Sequence, residues 1–301
     1  MSIGFNLSNK ISAEAGAEIF LDNVEISASE VRLLTIPSMT IDLSYIMSTI
    51  PFNFQFGSAV IYNNEIHILS AIGHYKWNGT SWSEVSTIPY TAGGIQAVVY
   101  NNEIHILGGY NKTKHYKWDG TSWSEVSTLP YTFYQGQAVV YNNEIHILGG
   151  YDTDNRKHYK WNGTSWTSVS TLPYGFYQGS AVVYNNAINI LGANGQADAH
   201  YKWNGSSWTS VSTLPYDFFQ ASAVVYNNEM HILGANTTNN KNKHYKWNGT
   251  SWTELSILPY DFTAGSAVVY NNAINILGGY DNGTKHYSLS LTIDKVVESI
   301  I

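Results

Sequence analysis

The chain has 301 residues, with 15 Lys and Arg against 22 Asp and Glu, a net charge of -7, and no cysteine. The acidic balance argues against a nucleic-acid footprint, and the missing thiols exclude a disulfide framework, a thiolate metal site and a cysteine nucleophile. No apolar run approaches the ~20 residues of a membrane helix, and the first residues lack the basic-then-apolar layout of a signal peptide. The expectation is a soluble chain made in a cytoplasm, with no membrane insertion.

Residues 1–42 hold two basic and six acidic side chains, with strand-like stretches such as Ala17-Glu18-Ile19-Phe20-Leu21 and Val31-Arg32-Leu33-Leu34-Thr35-Ile36. Some ~40 residues rarely fold alone, so this stretch reads as a segment anchoring the chain to a larger protein assembly. Residues 43–50 follow. Their end, Met47-Ser48-Thr49-Ile50-Pro51-Phe52, returns much later as Val211-Ser212-Thr213-Leu214-Pro215-Tyr216.

From Ala59 to residue 292 the chain repeats one sentence six times, beginning at Ala59, Ala97, Ala138, Ala181, Ala223 and Ala267. Such a period signals a propeller or a solenoid, whose units bury their faces against their neighbours. The third copy parses into four strands: Ala138 to Tyr141, Glu144 to Leu148, His158 to Trp161, and Trp166 to Thr171. Asn142-Asn143 joins the first two. Asn162-Gly163 joins the last two, and an Asn-Gly hairpin would place both residues at positive φ. No 3.6-residue apolar period appears, which excludes a helical solenoid.

The sixth copy stops after His286-Tyr287-Ser288-Leu289, without a fourth strand. Residues 43–50 carry the missing wording, and Pro51 precedes Ala59 by eight residues, as Pro215 precedes Ala223. They are expected to complete blade six and remove its open edge. The tail, 293–301, ends in the apolar Val296-Val297-Glu298-Ser299-Ile300-Ile301 and is expected to dock. Both ends should leave on the face of the Asn-Asn and Asn-Gly turns.

This wording resembles the kelch family. Three copies close strand two with a double glycine (Gly108-Gly109, Gly149-Gly150, Gly278-Gly279), and the first five carry the Tyr-then-Trp pair, as in Tyr116 and Trp123. Ser70-Ala71, Gly192-Ala193 and Gly234-Ala235 depart from the glycine pair. The resemblance covers about residues 43 to 292 and implies an all-β, six-bladed kelch-type β-propeller closed by an N-terminal strand, with a short non-repeat segment before it. For activity it implies little, because one fold hosts many functions.

Length variation lies in one place. From the strand-two Leu to the strand-three Tyr the first five copies span 6, 9, 11, 10 and 12 residues (Leu69 to Tyr75 through Leu233 to Tyr245), whereas the rest of each repeat is constant in length. In a meander blade this loop shares a face with the connection to the next blade, and loops on a rigid scaffold carry binding residues. The connections are aromatic: Phe54-Gln55-Phe56, Phe133-Tyr134-Gln135, Phe176-Tyr177-Gln178, Phe218-Phe219-Gln220 and Phe262-Thr263, with Ala92-Gly93-Gly94-Ile95 breaking the pattern. Tyr110, Tyr151, Asp152, Asp154, Asp198, Tyr280 and Asp281 lie in the loops. Aromatic planes beside Gln and Asp suit sugar rings, so these connections and loops form the candidate ligand-binding surface. The competing reading is that the aromatics wedge between blades, burying ~1.5–3 kcal/mol each.

All ten histidines belong to the repeat. His67, His105, His146 and His231 follow Glu65, Glu103, Glu144 and Glu229 at i+2, on one side of the strand. Where Ala187 and Ala273 replace Glu, Asn189 and Asn275 replace His, which suggests a structural Glu–His contact. Equivalent residues of different blades stand far apart, so no metal site is expected. Asp152-Thr153-Asp154 is a weak calcium candidate and reads as a solvated loop. With two arginines, Arg32 and Arg156, the chain lacks the cluster a sialidase needs, and no carboxylate pair at glycosidase spacing stands out. The Asn-Gly-Thr/Ser triplets at Asn78, Asn162, Asn204 and Asn248 match the glycosylation sequon but read as turns.

The sequence therefore leads to a non-enzymatic binding or structural module without cofactor. Its repeats look like those of kelch-type phage-tail, virion-associated and bacterial surface proteins. That likeness implies incorporation in a virion and attachment to a host-surface glycan or protein through the variable face. The alternatives are a carbohydrate-active enzyme of lyase or mutarotase type and a purely structural decoration or baseplate part.

Overall fold

The computed structural model describes residues 43–91 and 93–290. Residues 1–42 and 293–301, expected to anchor and dock, lie outside the described residues. Within them the chain forms six four-stranded antiparallel sheets and no helix. Blades one to five cover 58–86, 96–128, 137–168, 180–213 and 222–254; blade six combines residues 266–290 with the strand Leu43–Thr49. Strand one of each blade touches strand one of the next, and the sixth returns to the first. The result is a closed six-bladed β-propeller with strand one innermost.

The hairpin turns trade the roles expected of them. Every Asn-Asn pair holds both residues at positive φ (50° and 59° at Asn142 and Asn143), in a two-residue loop between paired Tyr141 and Glu144. Asn accepts this region because its short polar side chain costs little there. At Asn162-Gly163 only the glycine is positive, at 101°. The loop there runs four residues between paired Trp161 and Trp166. Asn162 Oδ1 instead accepts the N–H groups of Thr164 and Ser165 at 2.9 and 3.0 Å. The asparagine is thus a side-chain cap and not half of a two-residue turn. Strand four in blade three is also shorter than expected, Trp166–Ser168.

The hydrophobic core is divided among the six blade interfaces. Between blades three and four, Val139 and Leu148 meet Leu172, Phe176, Ile188, Ile190 and Trp203. Alternation along strands one and two sends side chains to both neighbouring interfaces, so no blade can bury its faces alone.

Closure follows the same interface chemistry. In blades one to four a serine on strand four, or just past it in blade three, accepts a bond from a tryptophan of the next blade. Trp123 Nε1 donates to Ser86 Oγ at 2.9 Å and Trp166 Nε1 to Ser127 Oγ at 3.1 Å. Blade six borrows Ser48 from the N-terminal strand, and Trp82 Nε1 donates to its Oγ at 2.8 Å. The strand pairs along the whole last strand of blade six, from Leu43 opposite Ser290 to Thr49 opposite Lys285, with one irregularity between Ile46 and Ser48.

Behind each serine stand the histidines. His67 Nδ1 and His74 Nε2 are 2.7 Å apart, and His74 Nδ1 lies 3.3 Å from Ser86 Oγ. In blade four Asn189 replaces the first histidine and its Oδ1 accepts from His200 Nε2 at 3.0 Å. A carbonyl oxygen only accepts, so the strand-three imidazole carries its proton on Nε2 there. The expected Glu–His contact is loose, 3.9 Å from Glu65 to His67. The glutamate's close partner is Lys76 at 2.9 Å, and the histidine's is the second histidine.

Candidate functional site

The long loops and the blade connections share one face, as meander topology requires. Tyr110 N–H donates to Gly93 O, Tyr151 N–H to Tyr134 O, Asn194 N–H to Tyr177 O, and Tyr280 N–H to Thr263 O, at 2.7–3.1 Å. Each loop is thereby seated on a connection. The repeat glycines permit this approach: Gly149 has φ +62°, and a Cβ there would lie 1.8 Å from Phe176 O. The tyrosine of each Leu-Pro-Tyr exit then ties down the same glycine, as when Tyr131 O–H donates to Gly149 O at 2.8 Å.

Around the axis the connections close a ring of backbone bonds. Phe56 N–H donates to Ala264 O, Ala264 to Gln220, Gln220 to Gln178, Gln178 to Gln135, Gln135 to Gly94, and Gly94 to Phe56, at 2.7–3.5 Å. All six residues hold positive φ, including Gln135 at 55°, Gln178 at 59° and Gln220 at 48°. A glutamine in this region is uncommon, and such backbone strain tends to gather at functional sites. The ring borders a shallow pocket at the channel mouth, where Gln96 and Gln137 join Gln135, Gln178 and Gln220. Gln178 Nε2 donates to Gln135 Oε1 at 3.0 Å. Asn194 and Asn236 each donate to the glutamine beside them, Gln178 and Gln220.

Outside the glutamines lie aromatic pairs. Tyr110 meets Tyr134 edge-on at 5.3 Å between ring centres, Tyr151 meets Tyr177 at 5.4 Å, and Tyr280 meets Phe56 at 6.4 Å. Tyr110, Tyr151 and Tyr280 are 60–62 % exposed. Burial raises the Tyr134 pKa above the ordinary tyrosine value, with Tyr110 adding to it.

The candidate residues thus divide. Phe133, Phe176 and Phe218 are fully buried interface wedges, with Tyr131 edge-on to Phe133 at 5.9 Å, and they leave the candidate surface. The rings of Phe133 and Phe176 need the glycine three positions on, since a Cβ at Gly136 would sit 2.3 Å from Phe133 and one at Gly179 2.4 Å from Phe176. The connection with Ala92 in place of Phe carries Ile95 in place of that glycine, and Ile95 fills the interface at 1 % exposure. Tyr134, Gln135, Tyr177, Gln178, Phe219 and Gln220 stay half-buried on the face. Asp152 is held by Lys157 at 2.6 Å and by Thr153 N–H, and the lysine hydrogen bond lowers its pKa. Asp281 is 3.8 Å from Lys241 of the neighbouring blade. No group of three metal-ligating side chains occurs among the described residues.

Gln96 and Gln137 are the additions, and Phe56 of the first connection joins the site. The residue before each repeat's alanine reads Ser58, Gln96, Gln137, Ser180, Ser222 and Ser266. The serines accept the next blade's alanine N–H, as Ser58 does from Ala97 at 3.1 Å. The two glutamines depart from that column, and the departure is visible in the sequence.

The fold and this face define a six-bladed β-propeller with an aromatic and amide-rich loop surface. No protein-family model and no curated protein matches the chain. Among solved structures it is similar to that described as the structure of YjhT, with a TM-score of 0.70 at 15 % identity, over 81 % of this chain and 98 % of that one. At that identity the likeness speaks for the fold alone. Among the described residues no helix is long and apolar enough to cross a membrane.

Proposed function

We propose that the protein is a non-catalytic binding module whose loop face attaches to a surface glycan, in the manner of kelch-type propellers displayed on phage tails or virions. The observation that carries this reading is the set of exposed tyrosines, Tyr110, Tyr151 and Tyr280, each propped edge-on by a ring of a blade connection. A fixed ring presents its plane at little entropic cost, and sugar C–H faces stack on such planes. The adjoining glutamine amides offer donors and acceptors for hydroxyls. The nearby carboxylate Asp152 is engaged with its own lysine.

The test is a glycan array with the full chain, followed by Tyr110→Ala and Tyr151→Ala. Retained binding to a glycan hit by both variants refutes the site. Turnover of a bound sugar that Asp152→Asn abolishes replaces the reading with a carbohydrate-active enzyme. Silence across the array favours a purely structural part, a role the near-identity of the blades would also suit.

A further inference from the structure

On the opposite face, between blades four and five, one lysine has lost its partner. In blades one, two, three and five the strand-three lysine pairs with the strand-two glutamate: Lys76 with Glu65, Lys117 with Glu103, Lys160 with Glu144 and Lys246 with Glu229, all at 2.9–3.0 Å. Blade six drops both charges together, with Ala273 and Ser288 at these positions. Blade four drops only the carboxylate. Ala187 stands for Glu, Lys202 remains, and no side chain among the described residues pairs with it.

The space of the missing side chain is open. A cleft there is lined by Ala187, Lys202, Asn186, Asn204 and Trp247. Asn204 spends its Oδ1 on the N–H groups of Ser206 and Ser207 and on the Ser206 hydroxyl, which leaves its amide N–H groups for a ligand. Asn189, facing Lys202 across the strands, is already satisfied by Tyr184 O, Ala187 O and His200. The unmatched groups are thus an ammonium and an amide beside an indole wall. Both groups are exposed, and a carboxylate meets that set by accepting a charge-assisted hydrogen bond from the ammonium and a second bond from the amide.

We propose that this cleft binds a carboxylate supplied from outside the chain, seated where the other four blades place their own glutamate. The carboxylate is that of a small organic acid or of an acidic side chain on a protein partner. The inference is independent of the loop face.

The test follows the lysine side-chain nitrogens of the full chain by NMR while acetate, succinate and a glutamate-containing peptide are titrated in turn. Lys202 should shift saturably, whereas Lys76, Lys117, Lys160 and Lys246 stay still. Ala187→Glu with Asn189→His, which copies the wording of blade one, should abolish the shift, and Lys202→Ala should weaken binding at least tenfold by calorimetry. Tighter binding of the peptide than of the free acids assigns the source to a protein partner; the reverse order assigns it to a small acid. The proposal is overturned if Lys202, itself exposed, responds no more than the half-buried Lys112, if the double variant responds equally, or if Lys202 is already ion-paired before any acid is added.

Discussion

Lowering the pH from 7 to 5 should unfold the ring, with the buried histidines setting the midpoint. All ten are buried, and burial is the first cause that lowers each pKa from 6.5, to about 4 at His67, His105, His146, His200, His231 and His286 and about 3 at His74, His115, His158 and His244. The unfolded chain takes up these protons below pH 6.5, whereas the folded chain refuses them until about pH 4. Stability is therefore complete above 6.5 and drains as the pH falls toward 4. A histidine moved from 6.5 to about 4 forfeits about 2 kcal/mol at pH 5 and about 1 kcal/mol at pH 6. Ten together forfeit about 20 and about 10 kcal/mol, against the ~5–15 kcal/mol of an ordinary domain. The midpoint should fall between about pH 5 and pH 6.

The chain contains its own control. Blades four and six replace the Glu and His of strand two by Ala and Asn, and Asn275 Oδ1 accepts from His286 as Asn189 Oδ1 does from His200. Copying this into the other four blades (Glu65→Ala with His67→Asn, Glu103→Ala with His105→Asn, Glu144→Ala with His146→Asn, Glu229→Ala with His231→Asn) removes four of the ten titrating rings. Urea unfolding by tryptophan fluorescence at a series of pH values gives the proton uptake from the slope of stability against pH. Near pH 6, above the acid midpoint, it should read about seven protons for the parent and about four for the variant, with the acid midpoint of the variant lower by about half a pH unit. Equal slopes in the two proteins, or flat stability from pH 7 to 5, would refute the reasoning.

Deleting residues 1–50 removes the closing strand and should yield an aggregating or molten product in size-exclusion and thermal scans; a truncation that melts as sharply as the full chain sinks the closure. Ser48→Ala, which strips Trp82 and His286 of a shared partner, should cost about 1–3 kcal/mol in urea. Gly149→Ala should cost more than Ser48→Ala, since it meets both positive φ and the Phe176 carbonyl; an unchanged urea midpoint would contradict the seating of the loop. Tyr110→Ala and Tyr151→Ala should leave the melting temperature unchanged, because their rings are mostly exposed.

Much of this was legible because a repeat repeats its chemistry. The match of Met47-Ser48-Thr49 to Val211-Ser212-Thr213 located the closing strand, and Ser48 takes the hydrogen bond its register predicts. The aromatic triplets were half legible. In Phe133-Tyr134-Gln135 the sequence leaves two readings open, sugar-binding surface or wedge between blades, and the structure divides them: the first ring is the wedge, the second lies on the face and the third bends back at positive φ. Alternation cannot announce that, because the connection is not a strand. The Glu–His contact that the co-variation suggests is present but loose, 3.9 Å from Glu65 to His67, and what the sequence does not show is the closer partner, the strand-three histidine that arrives through pairing across the sheet.

By itself the sequence determined the number of blades, the strand that closes them and the face that varies. These follow from wording, length and turn chemistry within one repeat, all of them local. Tertiary structure alone decided which aromatic rings are core and which are surface, how six connections close a ring of amides at the axis, and which lysine is left without a carboxylate. Each of those depends on what the neighbouring blade places opposite, and the spacing along one chain does not encode a distance across an interface.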